Sequence, residues 1–242
     1  MAKIHLILQG KGGVGKSFIA STIAQFKVYQ EEPPLCIDTD PVNATFEGYK
    51  SLNVQRINIM DKDEINSRNF DSLIELIAAT DASDVIIDNG ASSFVPLSHY
   101  LVSNDVPALL SDMGHQVIVH TVITGGQALL DTLQGFSSIA GQYPEEVDFV
   151  VWLNPYWGAI EHEGKAFEQM QAYKQNKGRV SAIVKIPQLK AETYGRDLSE
   201  CLQERKTFDE AIADTSLTIM TRQRLKLVKN TLFEQLEAAG VI

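Results

Sequence analysis

Gly10-Lys11-Gly12-Gly13-Val14-Gly15-Lys16-Ser17 fits the spacing G-x-x-x-x-G-K-[ST], and each residue type in it has a chemical reason. Glycine lets a backbone turn with positive φ and brings N–H groups up to a phosphate with no Cβ in the way. At this spacing Lys16 reaches the β- and γ-phosphates of a nucleoside triphosphate, and the Ser17 hydroxyl reaches Mg²⁺. A helix that starts here turns its positive end toward the same phosphates, so Gly10, Lys11, Gly12, Gly13, Val14, Gly15, Lys16, Ser17 and Phe18 form the expected contact set. A glycine-rich turn that binds nothing is the alternative, but the apolar strand before it and the amphipathic helix after it agree with a phosphate loop.

Acids stand at the ends of two later apolar runs. Leu35-Cys36-Ile37-Asp38-Thr39-Asp40-Pro41 places Asp38 and Asp40 just past a strand, and Asp84-Val85-Ile86-Ile87-Asp88 ends on Asp88. Ligands of open α/β sheets lie beyond the carboxyl ends of the strands, where a carboxylate orients a water or a magnesium ligand. Asp88 would hold Mg²⁺ through water, and Asp38 would touch magnesium-bound water or the loop. A turn-forming Asp before Pro41 is the alternative for Asp40. Gly90 falls two residues after Asp88, not three as in D-x-x-G segments, which leaves a phosphate-sensing role for it open. Phosphoryl transfer through a loose transition state asks mainly for positioning and charge neutralisation, so no strong general base is required.

These residues need a frame. Residues 4–8, 35–37, 85–87, 117–123, 147–153 and 180–186 read as strands. Residues 16–29 read as a helix with Ile19, Ile23 and Phe26 on one face, and residues 69–79 as one with Leu73, Leu76 and Ile77 inward. Helices are also expected over 127–140, 164–175 and about 217–239, with an extra strand near 56–59 in the unclear stretch 49–63. Such alternation predicts an α/β fold: a mostly parallel twisted sheet with helices on both faces and right-handed crossovers, as one domain over residues 1–242.

Lys11 exceeds what the ordinary loop needs. With it the loop resembles the deviant Walker A ATPases, K-G-G-x-G-K-[ST], which include the ParA and MinD partition and positioning proteins and the nitrogenase iron protein. The resemblance implies a P-loop fold of the ParA/MinD type, ATP and Mg²⁺ as cofactors, and a nucleotide-dependent homodimer in which Lys11 reaches the partner's nucleotide. A solvated lysine that merely adds positive potential is the alternative. The D-x-D-P segment of this family assigns Asp40 to the attacking water, and Lys11, Lys16 and Asp40 become the catalytic set. Many members continue with Gln-Gly-Asn where this chain has Val42-Asn43-Ala44-Thr45, so a role for Asn43 is left open. Members often place an asparagine after a later strand to read the adenine edge, and Asn154 matches. Tyr156 and Trp157 either stack on the base or simply pack. No N-K-x-D guanine motif is present, since Asn176-Lys177-Gly178-Arg179 fails at its fourth place, and this favours ATP over GTP. Longer strings, such as Ile86 through Tyr100, resemble a plasmid conjugal-transfer branch of the ParA/MinD group. They imply an accessory role in conjugation, with a transfer-machinery protein as a possible partner. A metabolic kinase or ATP-dependent ligase of the same superfamily, or an adaptor that holds nucleotide without hydrolysis, are the competing readings.

Composition bounds the rest. The chain has 242 residues, 44% of them hydrophobic, enough to bury a large core without disulfides. A net charge of -10 opposes DNA and anionic lipid on average, so either would need a local patch. Arg222, Arg224, Lys226 and Lys229 offer one, as a DNA face or as a solvated helix face. Glu234 and Glu237 interrupt the last helix, which favours packing on the core over a membrane anchor. Two cysteines without metal spacing and no signal segment fit a cytoplasmic location. His5 and His120 read as core or surface residues, without a metal partner.

Overall fold

β-Branched runs buried on both faces pair as a parallel sheet because helical crossovers cover both of their sides. The computed structural model describes residues 1–62 and 64–242. Its elements are β1 (Lys3–Ile7), α1 (Lys16–Tyr29), β2 (Leu35–Asp38), β3 (Gln55–Arg56), β4 (Met60–Asp61), β5 (Glu64–Ile65), α2 (Asp71–Ala78), β6 (Asp84–Asp88), α3 (Phe94–Ser103), α4 (Val106–Asp112) and β7 (Gln116–Thr124). They continue with α5 (Leu129–Gln142), β8 (Asp148–Asn154), β9 (Glu161–His162), β10 (Lys165–Ala166), α6 (Gln171–Asn176), β11 (Val180–Lys185), α7 (Arg196–Gln203), α8 (Phe208–Ala213) and α9 (Ile219–Ala239).

Seven strands form one sheet in the order β11-β8-β7-β1-β6-β2-β3, with every pairing parallel. Strand order reverses about β1, with β6, β2 and β3 on one side and β7, β8 and β11 on the other. The crevice that such a reversal opens at the carboxyl ends is where α/β sheets take ligands, and β1 runs straight into residues 10–17. Alternate side chains feed two cores. Ile4, Leu6 and Leu8 meet Leu73 and Ile77 of α2, Leu97 of α3 and Phe136 of α5. Ile7 meets Ile19 and Ile23 of α1 and Leu232 and Leu236 of α9.

Strand positions agree with the sequence pattern to within about two residues. The extra strand is Gln55–Arg56, earlier than expected, with a short β4–β5 hairpin after it; Asp63 lies outside the described residues. A helix over 164–175 is corrected: β9 and β10 pair as a hairpin, a 3₁₀ turn follows, and only Gln171–Asn176 is α-helical. Glu163 and Gly164 both have positive φ, the mirror-type two-residue turn that matches strand twist. Helix α3 was not expected; its Pro96 sits in the first turn, where no intrahelical N–H is needed.

Candidate functional site

Between β1 and α1 the backbone makes the turns that only glycine makes cheaply. Gly13 has φ 71° and Gly15, which precedes Lys16 of α1, has φ 101°. The loop is held from outside on several struts. Just before it, Gln9 is buried between β7 and α5, its Nε2 donating to Val122 O at 2.9 Å and Thr132 O at 3.2 Å. Asn154, at the end of β8, donates from Nδ2 to Val14 O at 2.9 Å. The Trp157 indole N–H donates to Gly13 O at 3.2 Å. A Cβ on Gly10 would lie 3.0 Å from the ring of Phe94, at the start of α3.

Inside the loop the Lys16 ammonium curls back to donate to Lys11 O at 3.0 Å. Burial lowers its pKa, against the pull of Asp88 and Asp40. Lys11 is exposed and donates to Asp131 Oδ2, in the first turn of α5, at 2.7 Å. The Ser17 hydroxyl lies beside the Asp88 carboxyl and favours its charged form. Asp88 is fully buried, and its Oδ1 has no partner. Burial pushes its pKa up to about 7, against the Ser17 hydroxyl, with Asp38 adding repulsion.

An orphaned buried carboxylate oxygen beside a serine hydroxyl fits a magnesium site, since Mg²⁺ takes hard oxygen donors. No group of three or more His, Cys, Asp or Glu residues suited to a metal occurs among the described residues. The protein alone therefore offers an incomplete oxygen set, of the kind Mg²⁺ fills with phosphate and water.

The other expected site residues lie at the same edge with partners of their own. Asp38 is buried, its two oxygens accepting Asp40 N at 2.9 Å and Glu47 N at 3.0 Å. It thereby organises the loop after β2, and burial raises its pKa. Asp40 Oδ1 accepts Val42 N at 2.9 Å and Asn43 N at 3.0 Å. Its carboxyl rests on Gly90, where a Cβ would meet it at 2.5–2.8 Å. The Asn154 amide expected at an adenine edge is engaged on both atoms, Nδ2 on the loop and Oδ1 accepting Tyr156 N at 3.1 Å. Tyr156 and Trp157 are both exposed and meet edge to face at 5.0 Å.

Sequence reading missed Asp131 and Gln9, and read Asn89 only as part of a segment that would sense the γ-phosphate. Asn89 Oδ1 accepts from Ser93 Oγ at 2.8 Å and Thr39 Oγ1 at 3.3 Å, joining the ends of β2 and β6 to α3. Asp131 is 120 residues from its partner, and only its place in a helix first turn after a strand marked it. The basic residues of the tail are partly spoken for. Arg224 binds Asp197 of α7, and Lys229 binds Asp209 of α8 at 2.6 Å while lying over Tyr29 and Phe233. No helix among the described residues is long and apolar enough to cross a membrane.

No protein-family model matches the chain. Among solved structures, it superposes on the MinC:MinD cell division complex of Aquifex aeolicus with a TM-score of 0.54 at 11% identity, covering 96% of each chain. MinD of Aquifex aeolicus gives 0.53 at 14% identity, over 96% of this chain and 98% of that one. A plasmid partition protein of Borrelia burgdorferi bound to AMPPNP gives 0.50 at 16% identity, over 98% and 100%. These likenesses establish the fold as a P-loop NTPase fold of the ParA/MinD type. Two Escherichia coli proteins called Protein TraL are each 72% identical to the chain over all 242 residues, covering 100% of both sequences. At that identity over the full length, the chain belongs to the TraL family.

Proposed function

We propose that this chain binds ATP with Mg²⁺ in residues 10–17, hydrolyses it slowly, and uses the nucleotide to close a homodimer that serves plasmid conjugal transfer. One observation carries the reading: Lys16, Ser17 and the unpartnered Asp88 oxygen converge beneath a glycine loop at the strand-order reversal. Loop amides and Lys16 would bind the phosphates, and Ser17 and Asp88 would hold the cation, which supplies charge neutralisation when bound. Asp40 is the candidate to orient a water at the γ-phosphate, once released from its own turn. Lys11, held here by Asp131, would exchange that carboxylate for a partner's phosphate, and γ-phosphate contacts would bias the two-state interface. The partition protein of the same fold bound to AMPPNP supports a nucleotide ligand. Membership in the TraL family supports the conjugal role.

An adaptor that holds nucleotide without turning it over is the second reading. It is favoured by one oxygen of the Asp40 carboxylate, Oδ1, being held by Val42 N and Asn43 N. The test is light-scattering mass with ATP, ADP or no nucleotide, alongside phosphate release. A dimer with ATP only, locked by Asp40→Ala and formed at lower ATP in Asp131→Asn, is the expected result. An Asp40→Ala protein that stays monomeric with ATP bound defeats the switch, and turnover undiminished by Asp40→Ala removes that residue from the chemistry.

A further inference from the structure

Beneath the phosphate loop a chain of polar groups crosses the core where the sequence pattern calls for apolar side chains. His5 of β1 and His120 of β7 are both fully buried, with His5 Nδ1 and His120 Nε2 2.9 Å apart. His5 Nε2 lies 3.0 Å from Asp84 Oδ1 of β6, and Lys27 Nζ of α1 lies 3.1 Å from the same oxygen. At the other end the Trp152 indole N–H of β8 donates to His120 Nδ1 at 3.0 Å.

The hydrogen count has one solution. An indole nitrogen only donates, so His120 Nδ1 is an acceptor and carries no proton. His120 Nε2 must then carry the ring's proton and donate to His5 Nδ1, which leaves His5 to carry its own on Nε2 and donate to the Asp84 carboxylate. A proton added to either ring sets two N–H groups head to head, or an N–H against the indole N–H, inside a core with no other acceptor in the chain. The members of the chain sit on β6, β1, β7 and β8, whose carboxyl ends lead to Asp88, residues 10–17, Gly125 and Asn154. Lys27 sits in the last turn of the helix that Lys16 begins.

We propose that His5, His120 and Trp152 are positioning residues for the phosphate loop, locked in one hydrogen-bonding state with both imidazoles neutral and protonated on Nε2. Four strands and α1 are thereby tied together from below, and acid releases the tie. Lys3 of β1, Lys27 of α1 and Asp84 of β6 are the charged groups facing the pair, while α9 turns Leu232 and Leu236 to the same core. Burial lowers both histidine pKa values, more strongly at His120, and the Asp84 bond only partly opposes this at His5. With folded values below 6.5, the contribution is complete above 6.5 and is lost as pH falls below it. That the loop holds nucleotide rests on the proposed function; the brace does not.

Full-length protein labelled with ¹⁵N-histidine tests it by two-bond ¹H–¹⁵N correlation. His5 and His120 should both show the Nε2–H tautomer at neutral pH. Trp152→Phe removes the terminal donor, at the cost of some ring volume, and keeps an aromatic in place. In that variant His120 should lose its fixed tautomer, and the amide signals of Gly12, Gly13 and Gly15 should begin their acid shift at higher pH than in the parent. ATP binding, relative to the parent's, should then be about tenfold weaker at pH 6 than at pH 8, as expected if the histidine pair of the variant takes up a proton about one pH unit earlier. An Nδ1–H tautomer on either ring, a charged imidazole at neutral pH, or glycine signals whose pH course matches the parent's would overturn the proposal. Absence of ATP binding at every pH would count against the nucleotide reading alone, because the glycine signals judge the brace without it.

Discussion

Asp88 is the residue whose environment and proposed task pull hardest against each other. Its carboxyl is buried, and its pKa of about 7 stands well above the ordinary 3.8. A carboxyl raised in the folded state favours folding below 3.8, and that contribution is lost as pH rises toward 7. Without ligand the contribution of this group should therefore fall between those values, by at most about 4 kcal/mol. Asp88→Asn should abolish that slope in urea unfolding and make the free protein more stable than the parent at pH 8. It should also remove any magnesium-dependent rise in stability with ATP. Parent and Asp88→Asn stabilities that run parallel across this range would contradict the assignment. Lys16, Ser17 and Asp88 were singled out in the sequence by residue type and by their order along the chain, and the fold brings them to one edge of the sheet. Asp131 was not, since its meaning comes from Lys11, which the chain brings to it from 120 residues away. His5 and His120 looked like isolated strand residues for the same reason, 115 residues apart yet in contact.

Elements were legible where the apolar period was long and unbroken, as in α1, β7 and β8, and illegible where local chemistry ran against the pattern. No element was expected over α3, which carries Pro96 in its first turn, and Gly164, half of a hairpin turn, was taken as the start of a helix. Least visible of all was the contact between the loops after β7 and β8. Gly125 has φ −80° and ψ −171°, open to any residue, so its conformation does not demand glycine. Its surroundings do, because a Cβ there would collide with the carbonyl oxygens of Gly158 and Ala159. Backbone atoms cannot swing aside as a flexible side chain would. Gly125→Ala should push apart the loops that carry Leu129 and Trp157. Overpacking of this kind costs about 1–3 kcal/mol, which corresponds to a midpoint lowered by roughly 3–10 °C in thermal unfolding. Because Trp157 loses its hold on Gly13, its fluorescence should shift to the red. Trp152 is fully buried and supplies the constant reference. An unchanged emission would place the Trp157 contact outside the influence of that loop pair.

At the scale of the whole molecule, charge decides which large partners the surface can meet. The net charge of -10 repels a polyanion on average, so DNA binding would depend on the basic stretch of α9. Two of its four cations are committed within the fold. Arg224 clamps Asp197, which also accepts a hydrogen bond from Thr221 Oγ1 at 3.4 Å. Lys229 is held by Asp209 over two aromatic rings. These cations dock α9 against α7 and α8, and α9 in turn covers one face of the sheet with Leu225, Val228, Leu232 and Leu236. A phosphate contact at Arg224 would have to displace a carboxylate that is itself nearly buried. Arg224→Ala should therefore lower the unfolding midpoint by a few degrees while leaving retention of a short duplex at physiological salt as weak as in the parent. If the parent instead bound duplex with a steep salt dependence that Arg224→Ala and Lys226→Ala flattened, α9 would be a DNA face, and its ion pairs would be the resting state of that face.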